Sequence, residues 1–309
     1  MAKIRCIFMG TPQIAADVLN AMLDADIDVE LVVTQPDKKV GRKQKIVYSP
    51  VKQVAQAYAI PCFQPIRIKT DYQTIIDTKP DVIVTCAYGQ IVPQEVLDAP
   101  VYGCVNLHGS LLPKYRGGAP IQRAIWNGDQ KSGMSLMKMV PAMDAGPVMD
   151  TEEIEITPDD TASTLFEKMG QAAGRLIVKD FDRVCSPDAV YTEQDESQVV
   201  YAPIIKKEEE HLDLSQPDER ILCQIRALAD HPGAYVKVGR RKLKILKADY
   251  KKEEHAELGT IFGNKKQFGI ALHEGNLYVE RCQMEGKPLM DSQSFCCGQG
   301  RNLVDQKAE

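Results

Sequence analysis

Short apolar runs alternate with amphipathic stretches through the first 140 residues. Apolar runs without strict alternation predict buried strands, and apolar residues recurring every three or four positions predict helices. The predicted strands are residues 4–9, 29–34, 62–63, 81–87, 103–107 and 133–139. The first predicted helix follows Thr11-Pro12, with Thr11 as its N-cap and Pro12 in its first turn, and the other helices span 50–59, 72–78, 93–98 and 119–127. Such strands need cover on both faces, so the pattern predicts an α/β fold with a Rossmann-like, doubly wound parallel sheet.

The pattern changes after a long helix predicted at 161–182. Residues 185–203 have no periodicity, and a helix predicted at 217–230 is followed by short strands at 234–238, 243–248, 259–262, 268–271 and 277–282. Several short strands separated by Gly and charged turns are typical of a small barrel. We therefore expect a first domain at 1–184, a linker at 185–205 and a carboxyl-terminal, OB-like β-barrel domain at 206–309.

Composition places the chain among cytoplasmic globular proteins. It has 309 residues, 44% hydrophobic and 26% charged, which allows a substantial core in each of two domains. No apolar window reaches the about 18 residues that a transmembrane helix needs, and the amino terminus does not resemble a secretory signal. Nine scattered cysteines without a Cys-x-x-Cys pair predict reduced thiols rather than disulfides or a zinc site.

Two basic stretches stand out in a chain with a net charge of −5. Residues 37–52 hold six basic side chains and one acid, and residues 236–252 hold eight and one. Each stretch is typical of an ordinary solvated surface. Two of them on an acidic protein also favour a polyanionic partner, because phosphate attraction is local.

The turn after the first strand argues against a nucleotide cofactor. A dinucleotide fold has Gly-x-Gly-x-x-Gly at this place, whereas Gly10 here stands alone. The sequence also has no Walker A motif. We therefore expect neither a bound nucleotide nor a metal.

Candidate chemistry lies at the end of the strand predicted at 103–107. Asn106 and His108 are two positions apart, so their side chains share a face at the edge where open α/β sheets bind ligands. A histidine at a strand end is usually structural, but an amide donor beside an imidazole can stabilise an oxyanion. Asp144, after the next strand, is either a turn residue or a partner that orients His108 through the ring nitrogen facing away from the substrate.

Several motifs occur together in one order along the chain. They are Phe8-Met-Gly-Thr-Pro12, Val33-Thr-Gln-Pro-Asp37, Gly41-Arg42, Ala87-Tyr-Gly-Gln-Ile-Val-Pro93, Asn106-Leu-His-Gly-Ser-Leu-Leu-Pro113, Arg116-Gly-Gly-Ala-Pro-Ile-Gln122, Gly128-Asp129 and Met143-Asp-Ala-Gly146. Over nearly its whole length the chain resembles the methionyl-tRNA formyltransferase family. The resemblance implies transfer of a formyl group from 10-formyltetrahydrofolate to the amino group of methionine on initiator tRNA.

The resemblance also implies roles for particular residues. It assigns catalysis to Asn106, His108 and Asp144. The folate co-substrate is expected to contact Ser110, Leu111, Leu112 and Pro113, and also Tyr88, Gly89, Gln90 and Ile91. The tRNA is expected to contact Arg42, Lys43, Lys45, Arg240, Arg241, Lys242 and Lys244. The family further implies a monomer.

Two departures and three alternatives accompany the resemblance. Pro147 stands where a polar residue is expected, and residues 230–233 are a compressed form of a family motif. A 10-formyltetrahydrofolate hydrolase keeps the same trio, but the basic stretch at 37–52 argues against it, because water needs no docking arm. A formyltransferase for a sugar amine or a purine precursor is a further alternative. An RNA-binding protein with an inactive first domain is the last, against which the intact trio argues.

Overall fold

A buried strand, β1 (Cys6–Gly10), lies within a sheet formed by the first half of the chain. The structure is a computed structural model that describes residues 3–41 and 44–309. In chain order, the next elements are α1 (Gln13–Asp24), β2 (Val29–Val33), β3 (Lys38–Val40), β4 (Lys45–Val47), α2 (Pro50–Ala57), β5 (Cys62–Phe63), α3 (Gln73–Asp77), β6 (Val82–Cys86), α4 (Gln94–Leu97), β7 (Cys104–His108), α5 (Pro120–Asn127), β8 (Lys131–Lys138), β9 (Val148–Glu155) and α6 (Ala162–Val184).

The central sheet has the strand order β5-β2-β1-β6-β7-β8-β9. Its strands are parallel from β5 to β7, β8 pairs antiparallel with β7, and β9 pairs antiparallel with β8. Every residue of β1 and β6 is buried, as expected for strands covered on both faces. The carboxyl ends of β1, β6 and β7 therefore meet at one edge, where the candidate residues lie.

Three features of this half differ from the sequence prediction. The basic stretch contains a hairpin of β3 and β4, and β9 extends the sheet. Hydropathy missed both, because these strands carry exposed charges and β9 is only half-buried. The hydroxyl of Thr11, expected to cap α1, instead donates to the Tyr88 carbonyl at 2.9 Å.

The second half of the chain builds an antiparallel sheet in the order β10-β11-β14-β13-β12, with β15 beside β14. Its elements are α7 (Asp218–Ala227), β10 (Ala234–Val238), β11 (Arg241–Lys251), β12 (Ile261–Gly263), β13 (Phe268–Ala271), β14 (Asn276–Met284), β15 (Met290–Asp291) and α8 (Ser292–Cys297). One face of this half-barrel buries an apolar core that includes Leu243, Ile245 and Phe268. The predicted fold class, a Rossmann-like domain followed by a β-barrel domain, is confirmed.

The chain divides into two compact units that exchange segments. The first ends at Pro120 and resumes with Lys131–Glu155 and Phe166–Ala202; the second contains Ile121–Gln130, Ile156–Leu165 and Pro203–Glu309. The predicted boundaries, 1–184, 185–205 and 206–309, instead treat each domain as one continuous stretch. The difference arises because Trp126 on α5 packs against the apolar core of the second unit. Across the described residues, no helix has the length and apolar character to cross a membrane.

Candidate active site

Asn106 on β7 has an oriented amide group. The Thr85 hydroxyl on β6 donates to its Oδ1 at 2.8 Å, so the NH₂ group points the other way. Among the residues that the structure describes, none forms a hydrogen bond with Asn106 Nδ2. The site therefore presents an amide donor that is held in place and free to bind a ligand oxygen.

His108 ends the same strand and is buried. Its Nε2 lies 2.9 Å from the carbonyl oxygen of Tyr115. A carbonyl only accepts, so Nε2 carries a hydrogen and Nδ1 is the nitrogen left for chemistry. Nδ1 lies 3.5 Å from Asp144 Oδ1, so the backbone of Tyr115 orients the ring and the carboxylate shares its reactive side.

Asp144 lies in the loop after β8 and has a φ of +50°, a conformation that few non-glycine residues adopt. The Gly117 amide donates to its Oδ2 at 2.8 Å, which leaves Oδ1 facing the histidine. The Gln194 side chain donates to the Asp144 carbonyl at 2.8 Å and to that of Gly146 at 2.7 Å. Both the carboxylate and the backbone of Asp144 are therefore held.

The loop after His108 is fixed by hydroxyl groups. Ser110 Oγ donates to the Lys114 carbonyl at 2.6 Å, and Ser135 Oγ on β8 donates to the Ser110 carbonyl at 2.7 Å. The Leu112 amide donates to the same Ser135 oxygen at 3.1 Å. Leu111, Leu112 and Pro113 are half-buried, so the loop offers an apolar surface next in sequence to the trio.

The loop at 88–91 is expected to contact folate, but two of its side chains contact other parts of the protein instead. Tyr88 is buried in the apolar core beside Ile7 and Ile83, and burial raises the pKa of its phenol to about 12. The Gln90 side chain accepts from the Ile68 amide at 2.9 Å, and Ile91 is 80% exposed. The Tyr88 and Gln90 side chains are therefore engaged within the protein, and Gly89 between them has a φ of +92°.

The candidate tRNA residues fall in two places. Lys45 is exposed on β4, whereas Arg42 and Lys43 lie outside the described residues. Arg240 and Arg241 are exposed at the β10–β11 turn. Lys242 and Lys244 follow on the outer face of β11, because Leu243 and Ile245 point into the core. Lys242 Nζ lies 4.0 Å from the centre of the Tyr235 ring, and Lys244 Nζ donates to the Pro232 carbonyl.

Lys52, counted in the first basic stretch, has fixed acidic and polar partners. Its Nζ lies 2.7 Å from Asp37 Oδ2 and 2.7 Å from Gln64 Oε1, and 4.2 Å from the centre of the Tyr48 ring. The lysine and Gln64 hold the pKa of the Asp37 carboxyl below its ordinary value. This cluster closes the base of the β3–β4 hairpin.

Sequence reasoning missed the residues that support the trio. Thr85, Ser135 and Gln194 contact the trio or its loops through side chains that lie far from them in sequence. No local pattern signals such contacts, although Thr85 follows the strand-end rule that found Asn106. Tyr115 contributes through its backbone carbonyl, so the type of residue at this position gives no signal.

The surroundings do not favour thiol or metal chemistry. Burial raises the pKa of Cys86 and of Cys104 to about 12, so neither thiol forms a thiolate near neutral pH. Within residues 3–41 and 44–309, no cluster of three or more His, Cys, Asp or Glu side chains is arranged to hold a metal ion. The available groups are hydrogen-bond donors, an imidazole and a carboxylate, which suit acyl transfer to an incoming nucleophile.

Comparison with known proteins yields one consistent set of relatives. The family model described as formyl transferase matches residues 2–180, and that of the formyl transferase carboxyl-terminal domain matches 204–300. Methionyl-tRNA formyltransferase of Lactobacillus acidophilus is 40% identical over 302 residues, which cover 96% of each chain. The same enzyme of Latilactobacillus sakei is 41% identical over 303 residues, covering 96% of this chain and 95% of the relative.

A solved structure with the same fold is HypX from Aquifex aeolicus in complex with tetrahydrofolic acid. Its TM-score is 0.71 at 15% sequence identity. The match covers 98% of this chain and 48% of that one, so this chain spans about half of HypX. At this identity the likeness concerns the fold alone.

Proposed function

Because this chain belongs to the methionyl-tRNA formyltransferase family, we propose that it transfers the formyl group of 10-formyltetrahydrofolate to the amino group of methionyl initiator tRNA. An α-amino group has an ordinary pKa of about 8, so a useful fraction is neutral and nucleophilic near pH 7. The amine attacks the formyl carbon directly. The site then has to stabilise the charge on the formyl oxygen and move one proton.

Asn106 and His108 stabilise that oxygen. The amide Nδ2 of Asn106 is held by Thr85 and free to donate, and a protonated Nδ1 of His108 is a second donor at the end of the same strand. Donors fixed before the reaction lose little free energy by reorganising. By analogy with known oxyanion holes, each well-aimed donor lowers the barrier by about 3–4 kcal/mol.

Asp144 and His108 move the proton. The attacking amine loses a proton as its bond to the formyl carbon forms, and the folate nitrogen gains one as its bond to that carbon breaks. His108 Nδ1, or a water held by Asp144, carries the proton between them. The 3.5 Å separation of His108 Nδ1 and Asp144 Oδ1 supports this role, because the carboxylate stabilises the ring while it is protonated.

The residues present fit a folate co-substrate. A reduced pterin is flat and partly apolar, and Leu111, Leu112 and Pro113 offer half-buried apolar surface held in shape by Ser135. Ser110 supports the loop through its hydroxyl rather than lining it. We propose that the backbone of residues 88–91 completes the site, because the Tyr88 and Gln90 side chains are engaged elsewhere.

The tRNA meets basic side chains in both units. We propose that the β3–β4 hairpin, with Arg42, Lys43 and Lys45, reaches the acceptor stem, and that Arg240, Arg241, Lys242 and Lys244 hold the stem backbone. Recognition at a stem end uses unstacked bases and phosphates rather than a deep groove. The proposal includes a monomeric, cytoplasmic enzyme whose catalytic and tRNA-binding domains correspond to 1–184 and 206–309, apart from residues 121–130 and 156–165, which belong to the second unit.

One observation carries the catalytic part of this proposal. Asn106 and His108 end the same strand, His108 Nδ1 lies 3.5 Å from Asp144 Oδ1, and each of the three side chains is oriented by a backbone or hydroxyl contact. A purely structural histidine has no need of a partner carboxylate in a strained loop conformation. The arrangement is that of a prepared acyl-transfer site.

The test supplies purified protein with 10-formyltetrahydrofolate and methionyl initiator tRNA carrying labelled methionine. Methionyl elongator tRNA is the control. We expect labelled formylmethionine on the initiator only. Asp144→Asn is assayed in parallel and is expected to bind folate normally but to formylate slowly.

Other results lead to other functions. Loss of formyl groups from folate without formylmethionine indicates a hydrolase, with water as the acceptor. Equal formylation of both tRNAs contradicts the proposed specificity. Binding of tRNA with no reaction at all indicates an RNA-binding protein whose trio is inactive.

A further inference from the structure

The segment at 192–202, expected to be a linker without structure, runs along both loops of the candidate site. Thr192 and Val148 exchange two backbone hydrogen bonds of 2.8 Å. Further along, the Arg116 amide donates to the Val200 carbonyl at 2.9 Å, and the Ala202 amide donates to the Arg116 carbonyl at 2.7 Å. This segment, here named the strap, is therefore attached to the first residue of β9 and to the loop after β7.

Gln194 lies in the strap and bonds to both loops through one side chain. Its Oε1 accepts from Arg116 Nε at 3.0 Å, and its Nε2 donates to the carbonyls of Asp144 and Gly146. Chemistry fixes the orientation of this amide, because a guanidinium only donates and a carbonyl only accepts. Gln194 therefore makes three hydrogen bonds that no other orientation of its amide allows.

Arg116 anchors this contact. It is 3% exposed, and its guanidinium forms a two-pronged ion pair with Glu196 at 2.7 and 3.2 Å. The arginine holds the pKa of the Glu196 carboxyl below its ordinary value. The next residue, Gly117, donates its amide to Asp144 Oδ2, and a side chain there would collide with the Ala202 carbonyl 2.7 Å away.

We infer that Gln194 is a positioning residue that holds Asp144 in the backbone conformation from which its carboxylate faces His108. This inference rests on the proposed function. Asp144 has a φ of +50°, which costs free energy unless the surroundings hold it. Two of the groups that hold it are the carbonyls at 144 and 146, and both accept from Gln194. Without these two hydrogen bonds, the loop relaxes and Oδ1 moves away from the imidazole.

The experiment uses Gln194→Met and Gln194→Glu in the full-length protein. Methionine keeps the length of the side chain without either polar group, and glutamate keeps the acceptor for Arg116 but cannot donate to the two carbonyls. We expect kcat to fall on the order of tenfold to hundredfold, as when a catalytic group is displaced by about 1 Å. We expect KM for folate and for tRNA to stay within about twofold, because no binding group is removed.

A double variant separates positioning from general structure. If Gln194 acts through Asp144, then Asp144→Asn with Gln194→Met is no slower than Asp144→Asn alone, because the positioned group is already gone. The control is Gln198→Glu, the same charge change in an exposed residue whose side chain bonds within the strap, to Asp195. We expect it to keep the parent kcat.

Four outcomes overturn the inference. If Asp144→Asn is slow but both Gln194 variants keep the parent kcat, positioning is wrong and the proposed function stands. If Asp144→Asn itself keeps the parent kcat, the proposed catalytic trio fails and takes this inference with it. If Gln194→Met slows Asp144→Asn by the same factor as the parent enzyme, Gln194 acts elsewhere. If both Gln194 variants unfold at the assay temperature, the contact serves folding rather than positioning.

Discussion

The candidate catalytic end of the central sheet and the basic face of the carboxyl-terminal sheet, which carries Arg240, Arg241, Lys242 and Lys244, differ in how their polar side chains are held. At the first, Asn106, His108 and Asp144 are each held by a specific partner. At the second, Arg240 and Arg241 are exposed, and within the described part of the chain neither guanidinium has a hydrogen bond or an ion pair. Charge that develops on one oxygen needs donors fixed to fractions of an ångström, whereas phosphate attraction tolerates mobile charges on a stable surface.

The largest expected effect comes from removing one member of the trio Asn106, His108 and Asp144. Asn106→Ala removes the oriented amide, and we expect kcat to fall by on the order of 10²- to 10³-fold. The dissociation constant for folate should stay within about twofold, because the amide stabilises charge that appears only during the reaction. Single-turnover formylation and folate binding by calorimetry measure the two quantities.

Asn302→Ala is the control for that variant, since it removes the same side-chain group from an exposed position in the second unit. It should keep the parent kcat. A loss at Asn106→Ala that appears only in folate affinity would contradict the oxyanion role.

Loss of charge at the basic face should change affinity and leave the chemistry alone. We expect Arg240→Ala with Arg241→Ala to raise KM for tRNA on the order of tenfold, with kcat unchanged. The slope of log affinity against log salt should fall by about one for each phosphate that is no longer neutralised. Formylation rates at limiting tRNA across a salt series provide the measurement.

The matched control removes two exposed charges from another turn of the same unit, with Lys265→Ala and Lys266→Ala. If both double variants weaken tRNA equally, net charge and not position governs binding. That result would mean that the basic face is not a specific tRNA-binding surface.

A smaller effect should follow from removing the hydrogen bond that orients Asn106. Thr85→Val keeps the shape of the buried side chain but no longer donates to Asn106 Oδ1. We expect kcat to fall by about two- to tenfold, the equivalent of the ~0.5–1.5 kcal/mol of one hydrogen bond. Thr78→Val, which removes a donation to the Thr74 carbonyl near the end of α3, is the matched control. An unchanged kcat in Thr85→Val would mean that the amide needs no orienting partner.

The smallest effect concerns the far end of β11, the strand that carries Lys242 and Lys244. The Tyr250 hydroxyl on β11 donates to Asp218 Oδ2 at 2.8 Å, and Tyr250→Phe should lower the free energy of unfolding by about 1 kcal/mol without changing kcat. Burial, with the carboxylate of Asp218, raises the pKa of this phenol to about 12. Its folded-state pKa lies above the ordinary value of about 10, so its contribution is complete below about pH 10 and disappears as the pH rises to about 12.

Denaturant unfolding of the parent and Tyr250→Phe at about pH 7, 9 and 11 checks this sign. We expect a constant difference between the two lower pH values and a smaller one at the highest. A difference that grows with pH would contradict the assignment.

Most of the fold was predictable because its signals are local. The buried runs of β1 and β6 and the periodicity of α6 identify the α/β class without any long-range information. The hairpin and β9 were not found, because their strands are too exposed to show an apolar period. The carboxyl-terminal strands β10 to β14 were found to within a few residues, since Gly and charged turns mark their ends, whereas the two-residue strand β15 was not predicted.

The candidate site was predictable only in part. The strand-end rule places Asn106 and His108 on one face, and the motif order adds Asp144. The side chains that hold them come from elsewhere in the chain, as Gln194 shows by reaching the carbonyl of a residue 50 positions away. Segment 192–202 lacks periodicity because its contacts are backbone and polar ones, and hydropathy does not register such contacts.

The exchange of segments between the two units has a consequence for synthesis on the ribosome. Helix α5 emerges early, yet Trp126 packs against a core completed by residues after Pro203. Arg123 on the same helix can form its ion pair with Glu209 only after that residue has been synthesised. The second unit therefore cannot finish folding until the last strands of the chain have left the ribosome, and a fragment that starts at residue 203 lacks part of its own interior.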